Sequence, residues 1–257
     1  MNRNIIALLH KSMPWLLPTG LLSIWFVLAK LNAIPSRMFP APWEVWDAAV
    51  QLTLSGELLE HAKISTCRAG AGFLIGGAIG FLLGLLNGLS QTAERLLDSS
   101  LQMVRNIPHL ALIPLVIIWF GIDEEAKIFL VTLGVFFPIY INTFHGVRTV
   151  DKQLIEMGRV YGLSGFGLFR EVIFPGALPS ILVGVRYALG LMWLTLIVAE
   201  TIATTSGIGY LAMNAREFMR TDVVVLAILL YSLLGKLADS LARRLETWLL
   251  SWNPAYR

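Results

Sequence analysis

Charge is what this sequence has least of. Only 14% of its 257 residues are Asp, Glu, Lys or Arg, against roughly 25% in an ordinary soluble domain, and that deficit excludes a water-soluble fold. Cysteine is almost absent. The single Cys67 cannot form an internal disulfide and reads as a small packing residue, and no Cys/His cluster has the spacing of a metal site. There is no HExxH, no Cys-x-x-Cys, and no glycine-rich phosphate loop ending in Lys-Ser or Lys-Thr. The chain therefore carries no recognisable zinc site and no Walker motif, and any energy for work must come from a partner or an ion gradient. The net charge is a modest +3, with basic residues scattered through short loops instead of forming a stripe, which excludes nucleic acid as a partner.

Apolar surface is what the sequence has in excess: 56% of residues are hydrophobic and the mean hydropathy is +0.69. A hydrocarbon core about 30 Å thick takes on the order of 20 apolar residues per helix. Six runs qualify, at about 15–31, 69–89, 101–120 (broken at Pro108), 127–147, 181–202 and 223–241. These predict an all-α polytopic membrane protein with six transmembrane helices. Arg3 and Lys11 precede an apolar stretch from Trp15 to Ala29 as they would in a signal peptide. Pro18, the length of the run and the spans that follow favour an uncleaved first helix. Between Pro40 and His61, the residues Trp43, Val45, Trp46, Ala49, Val50 and Leu54 predict an amphipathic helix lying at the membrane interface with its tryptophans at headgroup depth.

With the N-terminus inside, the inner segments hold eleven Lys and Arg and the outer segments seven, so both termini are expected in the cytoplasm. The short loops agree: Asp123-Glu124-Glu125 is acidic and outside, whereas residues 148–170 carry four basic residues and are inside. The second helix repeats glycine at Gly72, Gly76, Gly80, Gly84 and Gly88. A spacing of four sets them along one face, where a second helix can approach closely, which matters in lipid because no hydrophobic drive separates helix from tail.

Gly162-Leu163-Ser164-Gly165 matches the GxSG of intramembrane serine proteases, but all four histidines (His10, His61, His109, His145) precede Ser164, and that serine sits in a basic inner loop. A Gly-Ser turn between two short helices is the reading that remains, and no catalytic residue is expected. The same loop reads Glu156-Met157-Gly158-Arg159-Val160-Tyr161-Gly162, then nine residues, then Val172-Ile173-Phe174-Pro175. That resembles the E-A-A-x-x-x-G-x9-I-x-L-P pattern of ABC importer permeases, with Glu156, Gly162 and Pro175 on register. Met157 and Gly158 stand for the two alanines, Val172 for Ile and Phe174 for Leu. A short helix from near Asp151 would end at Gly162, which tolerates φ > 0, and Pro175 would prevent the next helix from continuing unbroken. The expected product is a compact coupling helix pair that includes Arg159 and Leu163.

The resemblance extends to Arg105-Asn106-Ile107-Pro108-His109, Trp119-Phe120-Gly121-Ile122-Asp123, Leu191-Met192-Trp193-Leu194-Thr195, Ala199-Glu200-Thr201 and the ending Trp252-Asn253-Pro254-Ala255-Tyr256. On these segments the chain is similar to the aliphatic-sulfonate permeases within the sulfonate, taurine and nitrate group. The resemblance implies a type I importer permease fold: an N-terminal helix and interfacial segment over 1–60, a permease core over 61–245 and a cytoplasmic tail over 246–257. It also implies two ABC ATPase subunits, which bind ATP and Mg, a soluble sulfonate-binding protein, a second copy of the chain, and a place in a bacterial inner membrane. No cofactor is expected on this chain itself. Taurine or nitrate-type anions are alternative cargoes. A secondary transporter is an alternative of another class, and it would need a midplane site rich in ionisable groups.

Charges inside spans are functional candidates. Arg105 and Arg186 either attract a sulfonate anion, whose three oxygens suit a guanidinium, or snorkel to headgroups and pair with the inner loop. Glu200 is either a partner for a nearby base, a gate hydrogen bond, or a coupling group. Asn106, His109, Asn142, His145, Thr195 and Asn214 either line a path or close interhelical hydrogen bonds.

Overall fold

The structure of the protein, a computed structural model, describes the backbone of residues 3–36, 38–202 and 204–253, and the side chains of all of these except 3–12, 14 and 109. It is all-α, with no strand among the described residues: α1 (Arg3–Lys30), α2 (Pro42–Leu54), α3 (Glu57–Leu89), α4 (Gln91–Arg105), α5 (Ile113–Phe120), α6 (Glu124–Arg148), α7 (Lys152–Val160), α8 (Gly165–Leu168), α9 (Phe174–Thr201), α10 (Ile208–Glu217) and α11 (Thr221–Leu249). A 3₁₀ turn, His109–Leu112, leads into α5, and a π turn, Phe169–Ile173, joins α8 to α9.

Among the described residues, four helices are long and apolar enough to cross a membrane: Glu57–Leu89, Glu124–Arg148, Gly165–Thr201 and Thr221–Leu249. The broken pair Gln91–Arg105 and Leu110–Phe120, bent by 75°, is apolar enough to make a fifth span or a re-entrant loop. Pro108 accounts for the break, because it offers no amide N–H and pushes the residue before it out of the helical region. The first expected span differs. The apolar stretch of α1, Trp15–Lys30, is roughly 24 Å long at 1.5 Å per residue, short of a 30 Å core. Most helices also overrun the apolar runs that mark them, since charged residues at a helix end leave the membrane without ending the helix. The tail expected from residue 246 accordingly begins inside α11, and Leu250 just beyond it is buried.

The chain forms two compact units, Met1–Glu60 with Leu211–Leu229, and His61–Tyr210 with Leu230–Arg257. In the first, Val45, Ala48 and Leu52 of α2 pack with Leu211, Ala215, Val223 and Leu226. Pro42 starts α2 and the Glu44 carboxylate accepts from the Ala41 N–H at 2.7 Å, which fixes the helix entry. The expected apolar face of α2 needs correcting here. Its buried stripe is Val45, Ala48 and Leu52, while Trp43, Trp46, Val50 and Leu54 form a separate exposed stripe, so the helix is apolar on two sides and docked by one.

In the second unit α6 is the central helix. A Cβ placed on Gly72 would stand 2.6 Å from Cβ of Val131; on Gly80, 2.5 Å from the Phe136 carbonyl oxygen; on Gly84, 2.7 Å from Cβ of Thr143; on Gly88, 2.8 Å from Cβ of Val147. Each step of four on α3 meets a step of about four on α6, and backbone lies against backbone. The α9 side of α6 is equally close, with Gly184 against Asn142 (2.6 Å) and Gly146 against the Ala177 carbonyl (2.9 Å). The Ser180 hydroxyl donates to the Asn142 carbonyl at 2.8 Å.

Gly80→Ala forces the α3–α6 crossing apart and should cost about 1–3 kcal/mol, the usual range for overpacking. Gly70 on the same helix has open space around it, so Gly70→Ala should be neutral or stabilising by up to about 1 kcal/mol. Thermal unfolding of the two variants in detergent checks the pair; equal melting temperatures would dispose of the close-approach account.

Candidate functional site

At the end of α6, Asp151 starts α7 by accepting from the Gln153 N–H at 2.8 Å. The helix is closed by a paired reversal: Gly162 N–H donates to the Arg159 carbonyl (2.9 Å) and Leu163 N–H to the Gly158 carbonyl (3.0 Å), with Gly162 at φ +85°. Gly158 is buried at the crossing of α7 with the returning chain, where a Cβ would stand 2.9 Å from Leu168 and 3.1 Å from Val172. A larger residue there would separate the two arms. Pro175 does not end the second arm as expected. The π turn over Phe169–Ile173 widens the helix ahead of the proline, relieving the missing donor and the ring clash, and the helix continues to Thr201. The helix pair expected in this loop is thus α7 plus an N-terminal extension of α9. Glu156, Met157 and Arg159 face solvent. So do Val160 (86% exposed), Tyr161 (81%) and Phe166 (74%), an apolar patch on a segment carrying Lys152, Glu156 and Arg159 and therefore too polar to lie in lipid.

The opposite ends of α6 and α9 hold a buried charge network. The helix α6 is 25 residues long from Glu124 to Arg148, roughly 37 Å at 1.5 Å per residue. Glu200, fully buried, accepts from Ser65 Oγ (2.7 Å), Arg68 Nη1 (2.8 Å), the Gly209 N–H (3.0 Å) and the Tyr231 hydroxyl (2.8 Å). Arg68, 3% exposed, uses all five of its donors. Nε and Nη2 form a bidentate pair with Glu124, Nη1 reaches Glu200 and the Ser206 carbonyl (2.7 Å), and Nη2 also reaches the Ser206 hydroxyl (2.8 Å). Lys127 lies 3.4 Å from Glu124, so two carboxylates and two cations leave the cluster neutral.

His61, Ser65 and Arg68 follow i, i+4, i+7 spacing on α3 and receive the segment before α10. Gly207 N–H donates to His61 Nδ1 (3.1 Å), which places the imidazole proton on Nε2, and Ile208 N–H donates to Ser65 Oγ (2.9 Å). Together with Gly209 and Glu200, these bonds satisfy the first amides of α10, whose positive end faces the Glu200 carboxylate. Gly207 (φ +107°) lies so close to Glu200 that a Cβ would stand 2.5 Å from the carboxylate carbon.

Of the candidate path residues, Arg105 and Asn142 line a cleft with a volume of about 330 Å³ between the end of α4, the middle of α6 and α9. Asn106 is exposed in the turn after α4, and the side chain of His109 lies outside the described residues. Arg186 donates to Asp239 of α11 at 2.7 Å, and Arg243 shares that carboxylate at 3.0 Å. Thr195 is buried against Gly134. Glu200 belongs to the network just described, as a partner of Arg68. Sequence reasoning missed Arg68, Ser65, Glu124 and Tyr231. The first and third entered only as charges of outer segments. A signal was present, in the polar stripe His61, Ser65, Arg68 ahead of the glycine run and in Ser206-Gly207-Ile208-Gly209 just after Glu200.

A family model described as the binding-protein-dependent transport system inner membrane component matches residues 76–251. The chain is 64% identical to the aliphatic sulfonates transport permease protein SsuC of Escherichia coli (strain K12), over 95% of this chain and 92% of that one. It is 35% identical to the taurine transport system permease protein TauC of the same organism, over 91% and 86%. Among solved structures, an inward-facing conformation of the MetNI methionine ABC transporter aligns with a TM-score of 0.52 at 22% identity, covering 76% of this chain and 97% of that one. This last likeness is one of fold.

Arg68→Met leaves Glu200 buried without its cation and should cost about 3–5 kcal/mol, as breaking buried ion pairs does. The double variant Arg68→Met with Glu200→Gln should recover part of that loss, because the stranded charge is gone. Thermal unfolding in detergent measures both, and an Arg68→Met protein that melts with the parent would rule out a structural role for the network.

Proposed function

Since the chain belongs to the family of inner membrane components of binding-protein-dependent transport systems, we propose that it is the permease subunit of an ATP-driven importer of aliphatic sulfonates. A soluble binding protein delivers the anion on one side of the membrane, and two ATPase subunits act on the other against two copies of this chain. The observation that carries the coupling half of this reading is the α7 turn: a short polar helix fixed at both ends, tight against its return arm at Gly158, and presenting Val160, Tyr161 and Phe166 to water. A surface of that kind is a docking surface. In this reading both termini and α7 are cytoplasmic. Closing the ATPases draws the two α7 segments together, and α6 and α9 transmit the movement to the end held by Glu200 and Arg68.

Sulfonate is favoured over taurine-type cargo by the 64% identity to the sulfonate permease against 35% to the taurine permease. Selection among sulfonates rests mainly with the binding protein, so the permease needs only a weak, transient site. A secondary transporter is disfavoured because Glu200, the fully buried acid among the described residues, has four donors and no access to an ion.

Reconstituted with an ATPase and a sulfonate-binding protein in liposomes, the permease should take up ethanesulfonate only with ATP. Glu156→Lys should release the ATPase from the complex, and Gly158→Leu should cut uptake at least about tenfold by prising α7 from Leu168 and Val172, a loss equivalent to about 1.4 kcal/mol of coupling. ATP hydrolysis that ignores the loaded binding protein, with Glu156→Lys complexes intact, would reject the importer reading.

A further inference from the structure

The cleft beside Arg105 has a composition that the transport reading alone does not require. Its walls are Phe137 and Ile141 of α6 and Tyr187 and Leu191 of α9; its polar groups are Arg105, the Asn142 amide and the Tyr187 hydroxyl. No acidic side chain lines it. Several arginines of this unit are paired, among them Arg68 with Glu124 and Glu200, Arg148 with Glu94 and Arg186 with Asp239, whereas Arg95, Arg159 and Arg244 are, among the described residues, unpaired like Arg105 but do not line this cleft. Among the described residues Arg105 makes no ion pair and no hydrogen bond. Its place in the last turn of α4 suits a cation and sets that charge beside an apolar wall. About 330 Å³ lies within the range of small-molecule sites, which begins near 300 Å³.

We propose that this cleft is a two-part selectivity site, in which Arg105 binds the sulfonate head and Phe137, Ile141 and Leu191 hold the aliphatic tail, with Tyr187 and Asn142 donating to the head. The assignment rests on the sulfonate reading above and adds to it that the permease itself discriminates, by tail, against inorganic anions. Sulfate meets the guanidinium but leaves the apolar wall uncovered, whereas an alkanesulfonate satisfies both. The same chemistry, a monoanionic head on an alkyl chain, belongs to an acidic phospholipid, so the two sources have to be separated.

The test uses the full-length permease in nanodiscs with the exposed Cys67 replaced by serine and a reporter cysteine at Tyr187→Cys. Labelling rates are compared for 2-sulfonatoethyl and 2-(trimethylammonium)ethyl methanethiosulfonate. The anionic reagent should be favoured about tenfold, as field focusing in a charged cleft predicts. That preference should vanish in Arg105→Gln, return in Arg105→Lys, and be absent from a control reporter at Leu194→Cys, which does not line the cleft. Hexanesulfonate should protect the reporter and sulfate should not, and Phe137→Ala should abolish that difference. Equal protection by sulfate, or a charge preference indifferent to Arg105→Gln, would overturn the proposal. So would loss of the anionic preference and of the hexanesulfonate protection when phosphatidylglycerol replaces part of a phosphatidylcholine bilayer, since an anionic lipid would then hold Arg105 and the site would be a lipid site. If the liposome uptake above succeeds while these outcomes fail, the importer stands and the selectivity site falls.

Discussion

Backbone contact along α6 is the constraint on which the second unit depends. Inside a bilayer, apolar side chains gain little by leaving lipid for protein, so helices associate through dispersion and weak polar contacts that fall off within fractions of an ångström. Glycines on α3 and on both sides of the α6–α9 crossing let main chains meet at that range. Once α3, α6 and α9 are so fixed, their ends are fixed too. The polar stripe of α3 arrives beside Glu200, and the far end of α6 delivers α7 to its return arm. The charge network and the α7 turn are thus two ends of one rigid trio.

The neutrality of that network fits the same picture. Buried Glu200, Arg68 and Lys127, with Glu124 exposed at the edge of the cluster, are tolerable when every donor has an acceptor, and Arg68 meets the condition with all five N–H groups in use. The segment from Ser206 to Gly209 is held by side chains instead of by a helix or sheet ladder, so its position is a direct readout of α3 and α9. Such an arrangement has either all of its bonds or few.

Much of the fold was legible because hydropathy and glycine spacing are local properties. Of the six apolar runs, four coincide with helices long enough to cross and a fifth with the bent pair; Pro108 located the bend, and a four-residue glycine period marked a contact face. Helix ends were not legible, since Glu57, Gly165 and Leu249 extend helices into water where nothing apolar marks them. The partners of Glu200 and of Arg68 were hidden for a different reason: Ser65, Arg68, Glu124 and Tyr231 are distant along the chain from Glu200 or from one another, and a charge in a loop-like segment looks the same whether solvated or buried. The α7 turn was legible through Asp151, Gly162 and the loop's register, but Pro175 misled, because a proline breaks a helix only if the turn before it cannot widen.

That widened turn has a consequence for how the chain can vary. A π turn holds one residue more than an α turn, and each residue of an α-helix advances the phase by about 100°. Phe169–Ile173 therefore sets the angular offset between the face of the return arm that meets Gly158 and the faces of α9 that meet α6. Length in this stretch is not free as it is in a loop: losing a single residue would turn Gly184 and Glu200 away from their neighbours while leaving α7 in place. The π turn is the key that keeps a lever and its shaft in phase.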